Sequence, residues 1–326
     1  LPEGKSIDRK ITTVMTIKEA LKSATDRLRS SNSPSAYLDA EVLLLHALRR
    51  KKDVRDKSWV YINSNYDLSR KEEASFFGFI SRRCLHEPVA YIIEKKEFYG
   101  YDFYVNENAL IPRPETEMIV SEVLETIRSK KECGCKFDLL DIGTGSGCII
   151  ISVLNELAKT HRQKLVHSAI ANDISKKAIE VAERNSRKYR LNKKIRFICE
   201  DFSDMLRDKD LIDRSRRLII TANLPYIRTD GYDRLLSSVK YEPRSALVGG
   251  KDGLKFITKL INNVAKLKKN ANSDIIMFIE SDPEQINIIK KLARGSLPDS
   301  ESVILKDLSK KRRFVKIELK NDRQCK

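Results

Sequence analysis

Two stretches constrain this 326-residue chain more than any others. Residues 137–151 read FDLLDIGTGSGCIII, and residues 219–227 read IITANLPYI. The first is an apolar run that ends in an acid, breaks at Gly143-Thr144-Gly145-Ser146-Gly147 and resumes as an apolar helical run. This pattern predicts strand, glycine turn, helix. Glycines at alternate positions let the backbone turn sharply and leave no Cβ between it and a ligand lying across the strand end. The spacing G-x-G-x-G differs from the dinucleotide pattern G-x-G-x-x-G, and no G-K-[ST] of a phosphate-binding loop accompanies it. The second stretch is also a strand, ending in Asn223-Leu224-Pro225-Tyr226. Alone, a glycine turn can be a mere structural turn. Paired with an Asn-x-Pro-Tyr strand end, it marks a site.

The length allows a large core and predicts two domains. No run of about 18 apolar residues suggests a membrane span. A formal charge of +17 implies attraction to a polyanion such as ribosomal RNA, or equally a lysine-rich source composition. Six scattered cysteines point to a reducing compartment. Cys133-Gly134-Cys135 has only four histidines in the whole chain to partner it, so no metal is expected.

Residues 1–14 read as an appendage or the remnant of a targeting segment, basic and without an apolar core. From Met15, Thr16-x-x-Glu19 is a capping box opening an amphipathic helix. Further helices follow over 36–50 and from Ser69-x-x-Glu72 to near Pro88, so residues 15–90 form a helical bundle, with basic patches at 49–57 and 82–83 and Trp59 packing in a connection. Residues 91–112 change period, and the aromatic-rich segment around Gly100 predicts a β-hairpin linker. Ile111-Pro112-Arg113-Pro114-Glu115-Thr116-Glu117 then stiffens the start of a helix and provides an ordered loop that can lie against a ligand. From there, residues 113–326 alternate strand and helix. The prediction is an α/β, doubly wound sheet whose ligand sits beyond the strand C-termini.

Asp173 closes the strand after the glycine turn, where a carboxylate can accept from both hydroxyls of a ribose. Asp201 and Phe202 close the next, where Phe202 can pack on an adenine face and Asp201 can accept from its amino group; each acid can also be a helix cap. Two such strand ends beside a glycine turn favour an adenosine ligand. Asn223-Leu224-Pro225-Tyr226 is the chemical centre. An amide nitrogen is a poor nucleophile because its lone pair is delocalised. The Asn223 side-chain oxygen and the Leu224 carbonyl could hold its two hydrogens and aim the nitrogen at an electrophilic methyl. Pro225 fixes the turn, and Tyr226 walls the flat acceptor group. Positioning supplies much of the rate.

Together these residues resemble the S-adenosylmethionine-dependent methyltransferases, and more closely the HemK/PrmC family of release-factor glutamine N5-methyltransferases. The resemblance runs over most of the chain from Met15. It rests on IPRPETE at 111–117, DIGTGSG at 141–147, NLPY at 223–226 and YEPRSALVGGKDGL at 241–254. It implies a Rossmann-like class I methyltransferase domain preceded by a helical domain that recognises the substrate. It implies S-adenosyl-L-methionine held by Gly143, Thr144, Gly145, Ser146, Gly147, Asp173, Asp201, Phe202 and Asn223. The substrate is implied to be the glutamine of the Gly-Gly-Gln motif in class I peptide chain release factors, bound by Asn223–Tyr226 with Arg113 and Glu115.

Three departures stand out: Leu224 replaces the family's first proline, Phe202 stands where tryptophan is frequent, and Lys310-Lys311-Arg312-Arg313 replaces an acid–Arg pair. Asn-Leu-Pro-Tyr also occurs in ribosomal RNA adenine dimethyltransferases, so an RNA adenine-N6 methyltransferase is the alternative enzyme; those carry their helical domain after the core, whereas here the helices come first. A ribosome-associated binding module with a vestigial cofactor fold is a third reading, opposed by the intact glycines, acid and Asn223. The expectation is a monomer with at most weak RNA contact, no membrane association, and a cytoplasmic location, or the mitochondrial matrix if residues 1–14 are the end of a longer leader.

Overall fold

The computed structural model describes residues 14–49, 56–129, 136–208, 216–269, 273–307 and 309–320. Most of the appendage (1–13), the Cys133-Gly134-Cys135 motif and the 50–55 part of the first basic patch lie outside the described residues. Nine strands occur among the described residues: β1 (Lys96–Phe98), β2 (Tyr101–Phe103), β3 (Phe137–Ile142), β4 (Val166–Asp173), β5 (Arg196–Cys199), β6 (Arg217–Ala222), β7 (Ile275–Glu280), β8 (Ser300–Lys306) and β9 (Arg312–Leu319).

The long apolar runs become strands of one central sheet because both faces of that sheet are covered by helices. Successive strand side chains point to opposite faces, and in β3 and β7 every residue is buried. Leu140, Ile142, Leu218, Ile220, Met277 and Ile279 pack with the helices Lys255–Lys268 and Ile286–Ser296. The intervening Phe137, Leu139, Ile219, Ile276 and Phe278 pack with Glu117–Ser129 and Cys148–Lys159. A strand covered on both faces needs a continuous apolar run rather than an alternating one. Each fully buried Leu, Ile or Phe contributes roughly 1.5–3 kcal/mol relative to exposure.

The sheet order is β5-β4-β3-β6-β7-β9-β8. The first five strands are parallel, and β9 runs antiparallel to both β7 and β8. The chain builds outward from β3 to β5, then returns to lay β6 on the other side of β3. The order therefore reverses between β3 and β6, and the crevice beyond their C-terminal ends is where such sheets bind ligands. Glycine turn and Asn-Leu-Pro-Tyr both emerge there.

The chain divides into two compact units, Leu1–Ile93 and Glu94–Lys326. The β1–β2 hairpin, expected as a linker, belongs to the second, where Phe98 and Phe103 join the core beside Ile119 and Val123. In the first unit both capping boxes form: Glu19 N–H donates to Thr16 Oγ1 and Glu72 N–H to Ser69 Oγ. Its helices Ile17–Ser30, Ala36–Leu48 and Arg70–Cys84 share a core of Ile17, Leu28, Leu43, Leu44, Phe76 and Ile80. A buried Arg83 Nε donates to Asp39 Oδ2 at 2.7 Å. Trp59 packs edge-on against Tyr66, in a short helix, Lys57–Ile62, that the sequence reading did not anticipate. No helix among the described residues is long and apolar enough to cross a membrane, and no cluster of three or more His, Cys, Asp or Glu that could hold a metal ion occurs among them.

Candidate active site

The glycine turn takes its shape from one buried acid. Asp141, 1% exposed, accepts from Thr144 Oγ1 at 2.6 Å and from Thr221 Oγ1 at 2.7 Å. It thereby ties the loop after β3 to the neighbouring β6. Burial pushes the Asp141 carboxyl up to about 6 while the two threonine hydroxyls pull it down. Gly143, Gly145 and Gly147 all have positive φ, at 68°, 54° and 79°, a region that L side chains rarely adopt. Gly147 has a second constraint: a Cβ there would lie 2.9 Å from Ile151 Cδ1 and 3.2 Å from Ala182 Cβ.

A cleft with an inner volume of about 120 Å³ opens over this turn. Gly143, Gly145, Asp173, Asp201, Phe202, Asn223, Leu224 and Pro225 line it. Thr144, Ser146 and Gly147 are not among its lining residues. The Thr144 hydroxyl is spent on Asp141, and Gly147 packs back on the helix Lys176–Lys188. Asp173 Oδ2 accepts from Gly145 N at 3.0 Å and Oδ1 from Ser175 N at 2.9 Å. Burial raises its pKa, while those backbone donors lower it. The acid that faces the cleft is thus also the tether of the glycine turn.

Asp201 caps the helix Phe202–Met205 through Ser203 N at 2.8 Å. Its other oxygen accepts from Lys259 Nζ at 2.6 Å. That ammonium also stands 5.3 Å from the centre of the Phe202 ring. Lys259 and Phe256, another lining residue, come from the helix Lys255–Lys268 and carried no signal in the sequence.

A second, smaller cleft is lined by Leu110, Arg113, Asn223, Tyr226, Ala246 and Leu247, among others. The two clefts share Leu110, Asn223 and Ala246. Arg113 is ion-paired with the nearly inaccessible Glu242, whose other oxygen accepts from Ile111 N at 2.9 Å. This joins IPRPETE to YEPRSALVGG. Glu115 is half-buried and lines neither cleft.

The segment after Glu242 braces Asn-Leu-Pro-Tyr. Ile227 N donates to Leu247 O at 2.9 Å and Gly249 N to Ile227 O at 2.8 Å. Gln285 Nε2 donates to Tyr226 O at 3.0 Å and Asp252 O at 2.9 Å. The Leu224 side chain is only 4% exposed and belongs to the sheet core. Replacing it with the family's proline would keep the carbonyl but remove buried apolar volume. Arg313, in the basic run, pairs with Asp307 at 2.9 Å. The acid absent beside the arginine is supplied six residues earlier. Burial pushes the Cys148 thiol up to about 12, which disfavours the thiolate.

Among known proteins, the PrmC N-terminal domain family matches residues 19–93. The release factor glutamine methyltransferase of Rhodopirellula baltica is 32% identical over 309 residues, 94% of this chain and 97% of the relative. That of Clostridium acetobutylicum is 35% identical over 260 residues, covering 78% and 83%. Among solved structures, the human Mettl16 catalytic domain in complex with MAT2A 3'UTR hairpin 1 aligns with a TM-score of 0.50 at 14% identity. It covers 79% of this chain and 84% of its own. At that identity the likeness concerns the fold alone. Identity above 30% across nearly the whole length of a relative decides the matter: the chain belongs to the release factor glutamine methyltransferase family.

Proposed function

We infer that the protein is an S-adenosylmethionine-dependent methyltransferase whose acceptor is a glutamine side chain of a class I release factor, methylated at N5 within Gly-Gly-Gln. The observation that carries this is the meeting of two clefts at Asn223, one over the glycine turn and one beside Tyr226. The residues present suit the adenosyl cofactor. Gly143 and Gly145 offer bare backbone, Asp173 an acid at the ribose position, and Phe202 a ring for the base. When bound, S-adenosylmethionine supplies an electrophilic methyl group and a good leaving group. Asn223 Oδ1 and the Leu224 carbonyl would accept the two amide hydrogens and hold the nitrogen lone pair in line. Pro225 keeps that carbonyl in place, and Tyr226 excludes water from one face. Orientation of this kind supplies a large part of the barrier reduction.

The two glycines of the acceptor motif would let the backbone enter the narrow cleft beside Tyr226, where Arg113 lines the wall. The helical unit would add recognition surface, since three residues bury too little for a specific complex. Relatives named for release factors support a protein acceptor over the RNA alternative.

The test gives the purified chain labelled adenosylmethionine with an unmethylated class I release factor or with undermethylated small-subunit ribosomal RNA. Label should enter the release factor and vanish when its Gly-Gly-Gln glutamine becomes alanine. Label in RNA adenines would overturn the reading. For the cofactor, Asp173→Ala removes a charge-assisted acceptor and frees the Gly145 N–H it holds. A lost hydrogen bond to a charged group is worth about 1.5–3 kcal/mol, so calorimetry should show adenosylmethionine affinity falling by roughly tenfold or more. Unchanged affinity would remove Asp173 from the site.

A further inference from the structure

Beneath Asn223 lies a buried acid that the reaction as described does not use. Glu280 ends β7 and is 0% exposed. Its Oε2 accepts from Thr116 Oγ1 at 2.7 Å, and Thr116 Oγ1 in turn accepts from Asn223 Nδ2 at 3.2 Å. Glu280 Oε1 has no hydrogen-bond partner. The register explains the grouping. Asp141 pairs with Thr221 and Thr221 with Phe278, so Asn223 and Glu280, each two residues further on, fall on the same face of adjacent strand ends. Thr116 reaches them from the short turn Pro114–Thr116.

We propose that Glu280 is a positioning residue which, acting through the Thr116 hydroxyl, fixes the orientation of the Asn223 side-chain amide. A carboxylate can only accept. Thr116 must therefore donate its single hydroxyl hydrogen to Glu280 and can offer Asn223 only a lone pair. The Asn223 nitrogen turns to Thr116, and Oδ1 turns away from it, as the methyl acceptor requires. Without the acid, a hydroxyl could equally donate to Oδ1, and the amide would present two hydrogens where an acceptor is needed. The assignment rests on the reading of Asn223 as an acceptor for the substrate nitrogen.

The charged and titratable groups around Glu280 are Glu115, Arg113, Arg313, Tyr226 and Cys148. Burial pushes the Glu280 carboxyl up to about 7, opposed by the Thr116 hydrogen bond and the two arginines and reinforced by Glu115. Below that pH a protonated Glu280 can donate to Thr116 and let the chain of bonds reverse. Turnover should therefore rise with pH through this range.

The experiment measures kcat, KM for an unmethylated release factor, and adenosylmethionine affinity in Thr116→Val, Thr116→Ser and Glu280→Gln, with Asn223→Ala as reference. Thr116→Val should lose about 10- to 100-fold in kcat, the scale of a misplaced reacting group. Cofactor affinity should stay within about threefold, because no cofactor contact is removed. Thr116→Ser should recover most of the rate. Glu280→Gln, which can accept or donate, should lower kcat and flatten its rise near pH 7. Asp141, itself near 6, keeps its titration in both proteins, so the difference between the profiles reports Glu280. Wild-type turnover in Thr116→Val beside an inactive Asn223→Ala overturns the relay and spares the reading of Asn223. Activity in both overturns that reading. A parallel loss of cofactor affinity and kcat also overturns the relay, because it makes Thr116 a scaffold of the cofactor cleft. If Thr116→Val does not fold, the Glu280→Gln pH profile decides: a limb identical to wild type refutes the proposal.

Discussion

Asn223→Ala is expected to lower methyl transfer by about a hundredfold or more, the scale on which single preorganised polar groups act at reacting centres, while the protein stays folded. The contrast follows from where the side chain is tied. Asn223 is half-buried at the end of β6, and its amide nitrogen donates to Thr116 at 3.2 Å. Alanine removes one neutral hydrogen bond, worth about 1 kcal/mol net, and leaves Thr116 donating to Glu280 as before. The fold therefore loses little of a typical 5–15 kcal/mol. The chemistry loses one of the two acceptors that direct the substrate nitrogen, and the Leu224 carbonyl alone cannot fix a planar amide about its C–N axis. Single-turnover measurement with labelled adenosylmethionine and an unmethylated release factor reads the first effect; thermal melting reads the second. Transfer at the wild-type rate would mean that the amide is not the acceptor.

The residues that announced the site and those that complete it differ in how far apart they lie along the chain. Gly143, Gly145 and Asn223 were legible because each belongs to a local pattern: a strand followed by a backbone turn that only glycine suits, or a strand cut short by proline. Asp173 was legible because it closes a strand, and that position faces the crevice in any such sheet. Asp201 was read both as a helix cap and as an adenine acceptor. The structure commits one oxygen to the cap and the other to Lys259, a partner 58 residues away, and no local pattern predicts such a pairing. Thr144 and Ser146 sat inside the right motif but do not line the cleft, and Asp141 claims the Thr144 hydroxyl.

Glu280 needed register. Its strand was expected, but its place beside Asn223 depends on how β6 and β7 align, and two strands so far apart along the chain do not reveal that in one sequence. The same holds for Glu242, which lies 129 residues from the arginine it holds. Arg313 shows the converse, a partner close by in sequence but not adjacent. The run Lys310–Arg313 stands where the family has an acid–Arg pair, and a turn brings Asp307 back to Arg313.

Gly253→Ala should be among the most damaging single-methyl substitutions in the chain, although Gly253 lies outside both clefts. Its φ is 76°, where a side chain costs about 1–2 kcal/mol. A Cβ there would also fall inside the contact distance of the Tyr226 carbonyl oxygen and of Gln285 Nε2. Those two atoms are bonded to each other at 3.0 Å, and Gln285 is held from behind by Ser281 Oγ at 2.6 Å. Neither can retreat without breaking a buried hydrogen bond, at about 1 kcal/mol each, and overpacking adds about 1–3 kcal/mol. The sum, about 3–7 kcal/mol, should appear as a lower urea midpoint. Because the displaced atom is the carbonyl of Tyr226, two residues from Leu224, transfer should fall even under conditions where the variant is fully folded. Gly78→Ala is the control: it lies within the helix Arg70–Cys84 with no atom within 4 Å of its added methyl, and it should stabilise by roughly 0.5–1 kcal/mol. A Gly253→Ala protein with the midpoint and rate of the parent would mean that the segment behind Asn-Leu-Pro-Tyr yields, and that the acceptor geometry is not set by this packing.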